Sequence, residues 1–182
     1  MPDARVIRVW SADLTAERAR ELRSLCEHAW AAKGGDFDEE DWRSCLGGTH
    51  VLVEDRGAVV SHASVIERRF ELDGTPLRTG FVEAVATLPG RQGAGHASEV
   101  MRTVNALVDG GFELGALNTE IPGFYERLGW VLWPGRTGVR EPAGVRLTPE
   151  EDGNVLVRPP AGTLEAGRDS LLVCDWRPGD PW

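Results

Sequence analysis

The sequence predicts an α/β chain of the α+β kind: a mixed, mostly antiparallel central sheet flanked by helices. Three observations carry this. Between His50 and Leu88, apolar stretches follow one another through the tight turns Asp55-Arg56-Gly57 and Asp73-Gly74, the pattern of an antiparallel meander. On either side of that meander, apolar residues recur at helical spacing, at Leu22, Leu25, Cys26, Ala29 and Trp30, and again at Val100, Met101, Val104, Leu107 and Val108. The stretch Gly80–Met101 joins the two patterns as strand, Gly-rich turn and helix start.

Each element has its own reason. Val6, Ile7 and Val9 set among arginines predict a first strand over Arg5–Trp10. Ser11 or Asp13 is the expected cap of the helix that follows, and Gly34-Gly35 ends it. Asp38 reads as an N-cap, with Phe37 as a hydrophobic staple and Glu39–Asp41 as a first turn matched to the helix dipole. Strands are predicted at His50–Val53, Ala58–Arg68, Arg69–Leu72 and Leu77–Leu88. Gly110-Gly111 closes the next helix. Phe112–Leu117 is a strand, Pro122–Leu128 a short helix and Trp130–Trp133 a further strand. Arg136–Thr148 reads as irregular, being rich in Gly and Pro. Val155–Val157 and Leu171–Cys174 are expected as a terminal strand pair.

Composition narrows the function. The chain has 182 residues, 41% hydrophobic and 27% charged, which favours a single domain over 1–182. A net charge of −9 argues against a nucleic-acid partner and leaves cationic partners open. Cys26, Cys45 and Cys174 form no CxxC and read as buried thiols in a reducing compartment. His28, His50, His62 and His96 lack metal-ligand spacing, so no metal is expected. With no signal peptide and no membrane-length apolar run, the expectation is a cytoplasmic protein off the membrane.

Gly93-Ala94-Gly95-His96-Ala97-Ser98 is close to a dinucleotide fingerprint, but it follows an antiparallel meander, and Asn118 stands roughly where that fold needs an acid. Parsed one residue earlier, Gln92-Gly93-Ala94-Gly95-His96-Ala97 resembles the pyrophosphate loop of the GCN5-related N-acetyltransferases (GNAT). Gly123-Phe124-Tyr125-Glu126-Arg127-Leu128-Gly129-Trp130 resembles the second hallmark of that family. The resemblance implies acetyl-CoA as co-substrate, held at Gln92, Gly93, Ala94, Gly95, His96 and Ala97. It also implies a V-shaped splay between the strand carrying Val82–Val85 and the strand Phe112–Leu117. The backbone N–H of Val85 would bind the thioester carbonyl, and Tyr125 would protonate the leaving sulfur. Glu83 is a carboxylate among apolar strand residues, costly to bury alone, so it is expected to line an open cleft as general base or as ammonium anchor.

Further pieces narrow the resemblance. Gly34–Phe37, Asp41-Trp42, Arg78–Ala86, Leu114–Leu117, Thr148–Gly153 and the ending Cys174–Trp182 are similar to the aminoglycoside 2′-N-acetyltransferases. That family implies N-acetylation of a 2′-amino group in a ternary complex, with antibiotic resistance as the outcome. It implies substrate contacts at Asp36, Asp41, Glu83, Asn118, Glu151 or Asp152, Asp180 and the terminal carboxylate of Trp182. Thr119–Phe124 and Arg136–Thr148 depart from it, which leaves the acceptor open among aminoglycosides, including kasugamycin-like ones, and other amino sugars or polyamines. A homodimer is left open as well. The alternatives are an acetyltransferase for another small amine or a protein N-terminus, and a cationic-ligand binder without chemistry.

Overall fold

The alternation at the start of the chain makes an antiparallel pair. Strand β1 (Ala4–Trp10) runs against β2 (Thr49–Asp55), with Val6 opposite Val53 and Ile7 opposite Leu52. The computed structural model describes residues 4–159 and 166–182. The chain forms two compact units, one comprising residues up to Ile66 together with Val82–Ala106, the other Glu67–Phe81 with Leu107–Trp182.

In the first unit, β2 also pairs with β3 (Ala58–Leu72), which neighbours β4 (Thr75–Thr87). Helix α1 (Ala16–Ala31) is capped by Thr15, whose hydroxyl accepts from the Arg18 N–H at 3.1 Å. This corrects the expectation of Ser11 or Asp13. Those residues form a 3-10 turn, and the Ser11 hydroxyl instead accepts from the N–H groups of Gly47 and Gly48. Helix α2 (Glu39–Ser44) starts as expected: Asp38 and Asp41 make a reciprocal capping box. Leu22, Leu25, Cys26 and Ala29 of α1 pack with Phe37, Trp42, Leu52, Val59, Ala84 and Ala86. Fully burying each large apolar side chain stabilises by about 1.5–3 kcal/mol.

The second unit holds the remaining ladders in the order β6-β9-β5-β4-β3-β10-β7-β8. Here β5 is Leu114–Asn118, β6 Val131–Leu132, β7 Arg136–Glu141, β8 Gly144–Leu147, β9 Val155–Arg158 and β10 Leu171–Asp175. Strands β4 and β5 are parallel and pair only over Thr79–Phe81 and Leu114–Ala116, as short a ladder as the expected splay requires. Helix α3 (His96–Gly111) ends against β5, where a Cβ on Gly115 would meet the Val108 side chain at 2.6 Å. Helix α4 (Pro122–Glu126) carries Tyr125.

Three further expectations are corrected. The stretch Ala58–Leu72 is one strand of 15 residues, because nothing between Arg68 and Arg69 breaks it. The region read as irregular is the β7–β8 hairpin, with Gly138 opposite Leu147. The two terminal strands are not partners: β9 pairs with β5 and β6, and β10 with β3 and β7. Local pattern proposes a strand, but its partner is chosen by packing far along the chain.

Candidate active site

In the first unit the predicted cofactor residues lie on β4 and on the turn before α3. Gln92, Gly93, Ala94 and Gly95 are exposed, and Gly93 and Gly95 hold φ of 76° and 87°. Side chains rarely adopt that conformation, so the two glycines are what lets this turn form. The first intrahelical bond runs from the Glu99 N–H to the Gly95 carbonyl. The N–H groups ahead of it are left for a ligand, at the positive end of a 16-residue helix. His96 is buried, and its Nδ1 has no hydrogen-bond partner among the described residues. The turn is braced by an ion pair from Arg91 to Asp55 on β2, an anchor that sequence reasoning missed. Its signal was weak, an arginine in a short turn following Pro89. An exposed Gly-turn at a helix start fits a diphosphate-bearing co-substrate.

Glu83 and Val85 are half-buried on β4, either side of buried Ala84. Ala84 has φ 48°, so the strand kinks at the residue between them. Asp36 is exposed beside Phe37, which packs on Trp30 at 5.2 Å. Asp41 is exposed too, with one oxygen committed to the Asp38 N–H at 2.8 Å.

The second unit brings several predicted acceptor residues together. Asn118 at the end of β5 donates its amide N–H to Glu151 at 2.6 Å. The Glu151 carboxyl is raised above the usual carboxylate range, first by burial and then by the charges of Asp180 and Glu150, while the Asn118 bond opposes the shift. Glu151 and Asp180 are therefore close enough to repel, an arrangement that a cation relieves. One oxygen of Asp152 accepts from the N–H and the hydroxyl of Thr137 at 3.0 and 2.8 Å.

The chain's last residues are tied down by groups that sequence reasoning did not single out. Buried Arg68 donates to the Asp175 carboxylate at 2.9 Å and to the carbonyls of Asp175 and Pro181 at 2.5 Å. Its guanidinium also lies over the rings of Phe70 and Phe81. Trp182 is buried, edge-on to Phe70 at 5.5 Å. Its indole N–H donates to the Thr148 hydroxyl at 3.1 Å, and its backbone N–H to Asp180 at 2.9 Å. The Thr148 hydroxyl in turn donates to Thr137 at 3.0 Å. A hydrogen-bond chain thus runs Trp182–Thr148–Thr137–Asp152.

Tyr125 is buried on α4, with the ring of Phe124 edge-on at 4.9 Å. Burial pushes its phenol up to about 12, against a hydrogen bond from Thr119 that pulls it down. The group therefore keeps its proton across the physiological range. The thiols of Cys26 and Cys174 are likewise pushed up to about 12 by burial, which makes them poor nucleophiles. Among the described residues, no group of three or more His, Cys, Asp or Glu could hold a metal ion, and no helix is long and apolar enough to cross a membrane.

Comparison with known proteins adds a family to this geometry. The family described as an acetyltransferase (GNAT) domain matches residues 12–132. A curated aminoglycoside 2′-N-acetyltransferase of Mycolicibacterium fortuitum is 40% identical over 179 residues, covering 96% of this chain and 90% of that one. Among solved structures, a GNAT-family N-acetyltransferase from Escherichia coli in complex with CoA superposes with TM-score 0.68 at 14% identity, covering 94% and 89% of the two chains. A GNAT-family acetyltransferase from Brucella melitensis in complex with acetyl-CoA gives 0.60 at 16% identity, covering 91% and 94%. Two other matched structures are longer chains, of which this one spans 32% and 34%.

Proposed function

The chain belongs to the GNAT acetyltransferase family, and from that premise we propose that it transfers an acetyl group from acetyl-CoA to the 2′-amino group of an aminoglycoside. The observation that carries the acceptor half is the acidic group of the second unit, where the charge of Asp180 adds to the cost of ionising Glu151 and Asn118 orients Glu151. A polycation reverses that cost. Each carboxylate about 4 Å from an ammonium is worth up to ~4 kcal/mol at an effective dielectric of about 20, before desolvation. The −9 charge of the chain attracts the same substrate. On the first unit, taken by itself, Asp36, Asp41 and Glu83 are the proposed contacts to ammonium groups. In the second, Trp182 carries the last substrate contact, and Asp152 braces Thr137 as well as contributing charge.

Acetyl-CoA supplies an acetyl group on a thioester, and the residues Gln92–Ala97 hold its diphosphate. The Val85 N–H stabilises the oxyanion formed as the amine nitrogen bonds to the carbonyl carbon. Glu83 takes the proton the amine must lose, directly or through water. Tyr125 gives its proton to the sulfur as the C–S bond breaks, and it can do so because burial keeps it protonated. No acyl-enzyme forms. Residues 1–182 act as one acetyltransferase domain, in the cytoplasm, and inactivation of the antibiotic confers resistance.

The test is a mass-spectrometric screen of aminoglycosides, lysine peptides and simple polyamines for a one-acetyl gain, with the modified nitrogen mapped. Acetylation of 2′-amino aminoglycosides alone supports the reading. Acetylation of peptides or polyamines alone overturns the acceptor and leaves the cofactor. Absence of thermal stabilisation by acetyl-CoA overturns both.

A further inference from the structure

The first unit contains a buried polar chain that the chemistry above leaves unused. His50 and His62 are fully buried and stack with ring centroids 5.2 Å apart. The Nδ1 of His62 lies 3.0 Å from the Ala84 carbonyl oxygen. The Nε2 of His62 lies 2.9 Å from the Nδ1 of His50, and the Nε2 of His50 lies 2.9 Å from the Ser11 hydroxyl.

A carbonyl only accepts, so it sets the direction of the whole chain. His62 must carry its proton on Nδ1 and accept at Nε2. His50 must then carry its own proton on Nδ1 and accept at Nε2 from the Ser11 hydroxyl. The one hydroxyl proton then goes to His50 and not to the Gly48 carbonyl 3.0 Å away, which the Ser11 N–H already serves at 2.9 Å, and the hydroxyl oxygen is left to accept from the N–H groups of Gly47 and Gly48. Every group is satisfied with both rings neutral, and burial favours that form, since it lowers His50 to about 4 and His62 to about 3.

The end of this chain matters because Ala84 is held at φ 48° inside a strand. For a residue with a Cβ that conformation is strained, and it persists only where the surroundings over-determine it. A trans peptide is planar, with its C=O and N–H pointing in opposite directions. Whatever holds the Ala84 carbonyl therefore aims the Val85 N–H the other way, away from His62. Cys26, whose Sγ is 3.8 Å from the His62 Nδ1, offers only a weaker contact on that side.

We propose that His62 is the positioning residue for the Ala84–Val85 peptide: its Nδ1–H holds the Ala84 carbonyl and so orients the Val85 N–H, while His50 and Ser11 lock the tautomer. The consequence for turnover rests on the reading of the Val85 N–H as the thioester donor.

Two experiments test this separately. Long-range 1H–15N spectra of the wild-type protein report histidine tautomers without any reaction. Both His50 and His62 are expected neutral with the proton on Nδ1 at pH 7, and a proton on Nε2 of His62 overturns the proposal. Kinetics then compare His62→Leu with His62→Asn, whose amide N–H can still reach the Ala84 carbonyl. Rates are read as CoA release with whichever acceptor the wild type uses, or as acetyl-CoA hydrolysis if none is found. His62→Leu should lower kcat by roughly 10–100-fold, less than the ~10²–10³ lost when an oxyanion donor is removed outright, because the Val85 N–H is misaimed rather than deleted. Its KM values should change by less than about threefold, and His62→Asn should recover most of kcat. A folded His62→Leu with wild-type kcat overturns the proposal, as does failure of His62→Asn to do better than Leu. If the wild type acetylates no aminoglycoside while the spectra show the expected tautomers, the acceptor assignment fails and the positioning role stands.

Discussion

Two buried polar chains, one in each unit, are organised in opposite ways. In the first, the chain Ser11–His50–His62 ends on a neutral carbonyl and carries no net charge. In the second, Trp182–Thr148–Thr137 ends on the Asp152 carboxylate, and Arg68 is clamped by Asp175 and two carbonyls. The contrast follows the ligand each unit is proposed to meet. A thioester carbonyl is neutral and needs an aimed N–H, which uncharged groups provide without a nearby field. A polycation needs carboxylates held in place, and a guanidinium sharing its charge among several acceptors can hold a tail without leaving an unpaired buried ion.

Acid should separate the units most strongly. His50 and His62 titrate near 6.5 in the unfolded chain but at about 4 and 3 when folded. Below pH 6.5 the unfolded chain therefore binds more protons, and stability falls as pH drops towards 4. Each histidine contributes a slope of up to about 1.4 kcal/mol per pH unit. Urea midpoints measured from pH 7.5 to 4.5 should show this fall, and His62→Asn should flatten it; an equally steep fall in that variant would assign the acid sensitivity elsewhere.

The clamp should come next. Arg68→Met is expected to cost about 3 kcal/mol, because it leaves the carbonyls of Asp175 and Pro181 without their donor. It should also raise the acceptor KM while leaving that of acetyl-CoA alone. Equal increases in both KM values would mean that Arg68 supports the whole chain rather than the tail.

Tyr125→Phe should lower kcat by roughly 10²-fold with little change in stability. Because the phenol is pushed up to about 12, the wild-type rate should show no alkaline loss from this group below pH 10. An inflection near pH 9 that vanishes in the Phe variant would contradict the assignment.

The smallest effect should come from Glu151→Gln, with an acceptor KM about tenfold higher, equivalent to ~1.4 kcal/mol. Ionised Glu151 is the form that attracts an ammonium, and its raised pKa means it protonates early on acidification. The acceptor KM of the wild type should therefore rise as pH falls through the raised Glu151 pKa, and that of the variant should not. Parallel profiles would remove Glu151 from the acceptor site.

Much of the scaffold was legible because its causes are local. Asp73-Gly74 makes its hairpin since both residues take positive φ, 49° and 83°, and Asp38 caps α2 from within its own turn. The β7–β8 hairpin was hidden because its glycines and nearby proline read as loop, and it is anchored by a second ladder, between β10 and residues 136–140, that no local pattern announces. The histidine pair was not legible in the sequence. In the antiparallel register His50 faces Ser64 and Leu52 faces His62, so the two rings are diagonal neighbours on one face. The turn at Asp55-Arg56-Gly57, which pairs Asp55 with Ala58, would by itself set the two rings on opposite faces; the bulge between Val53 and Glu54 slips the register by one residue and brings them together. No local rule says that the next strand would bring a carbonyl to the end of the pair.

The sequence by itself determined the order of elements, the Gly-rich turn, the lone tyrosine and the acidic surplus, because turn chemistry, periodicity and charge act over a few residues. The tertiary structure alone decided which carboxylates gather and which are spent on structure: Glu151 meets Asn118 from 33 residues away, and Asp175 meets Arg68 from 107. It also decided that a strand residue with a side chain would sit at positive φ, since such strain persists only when groups distant in the chain, His62 and the core around Ala84, converge to hold it.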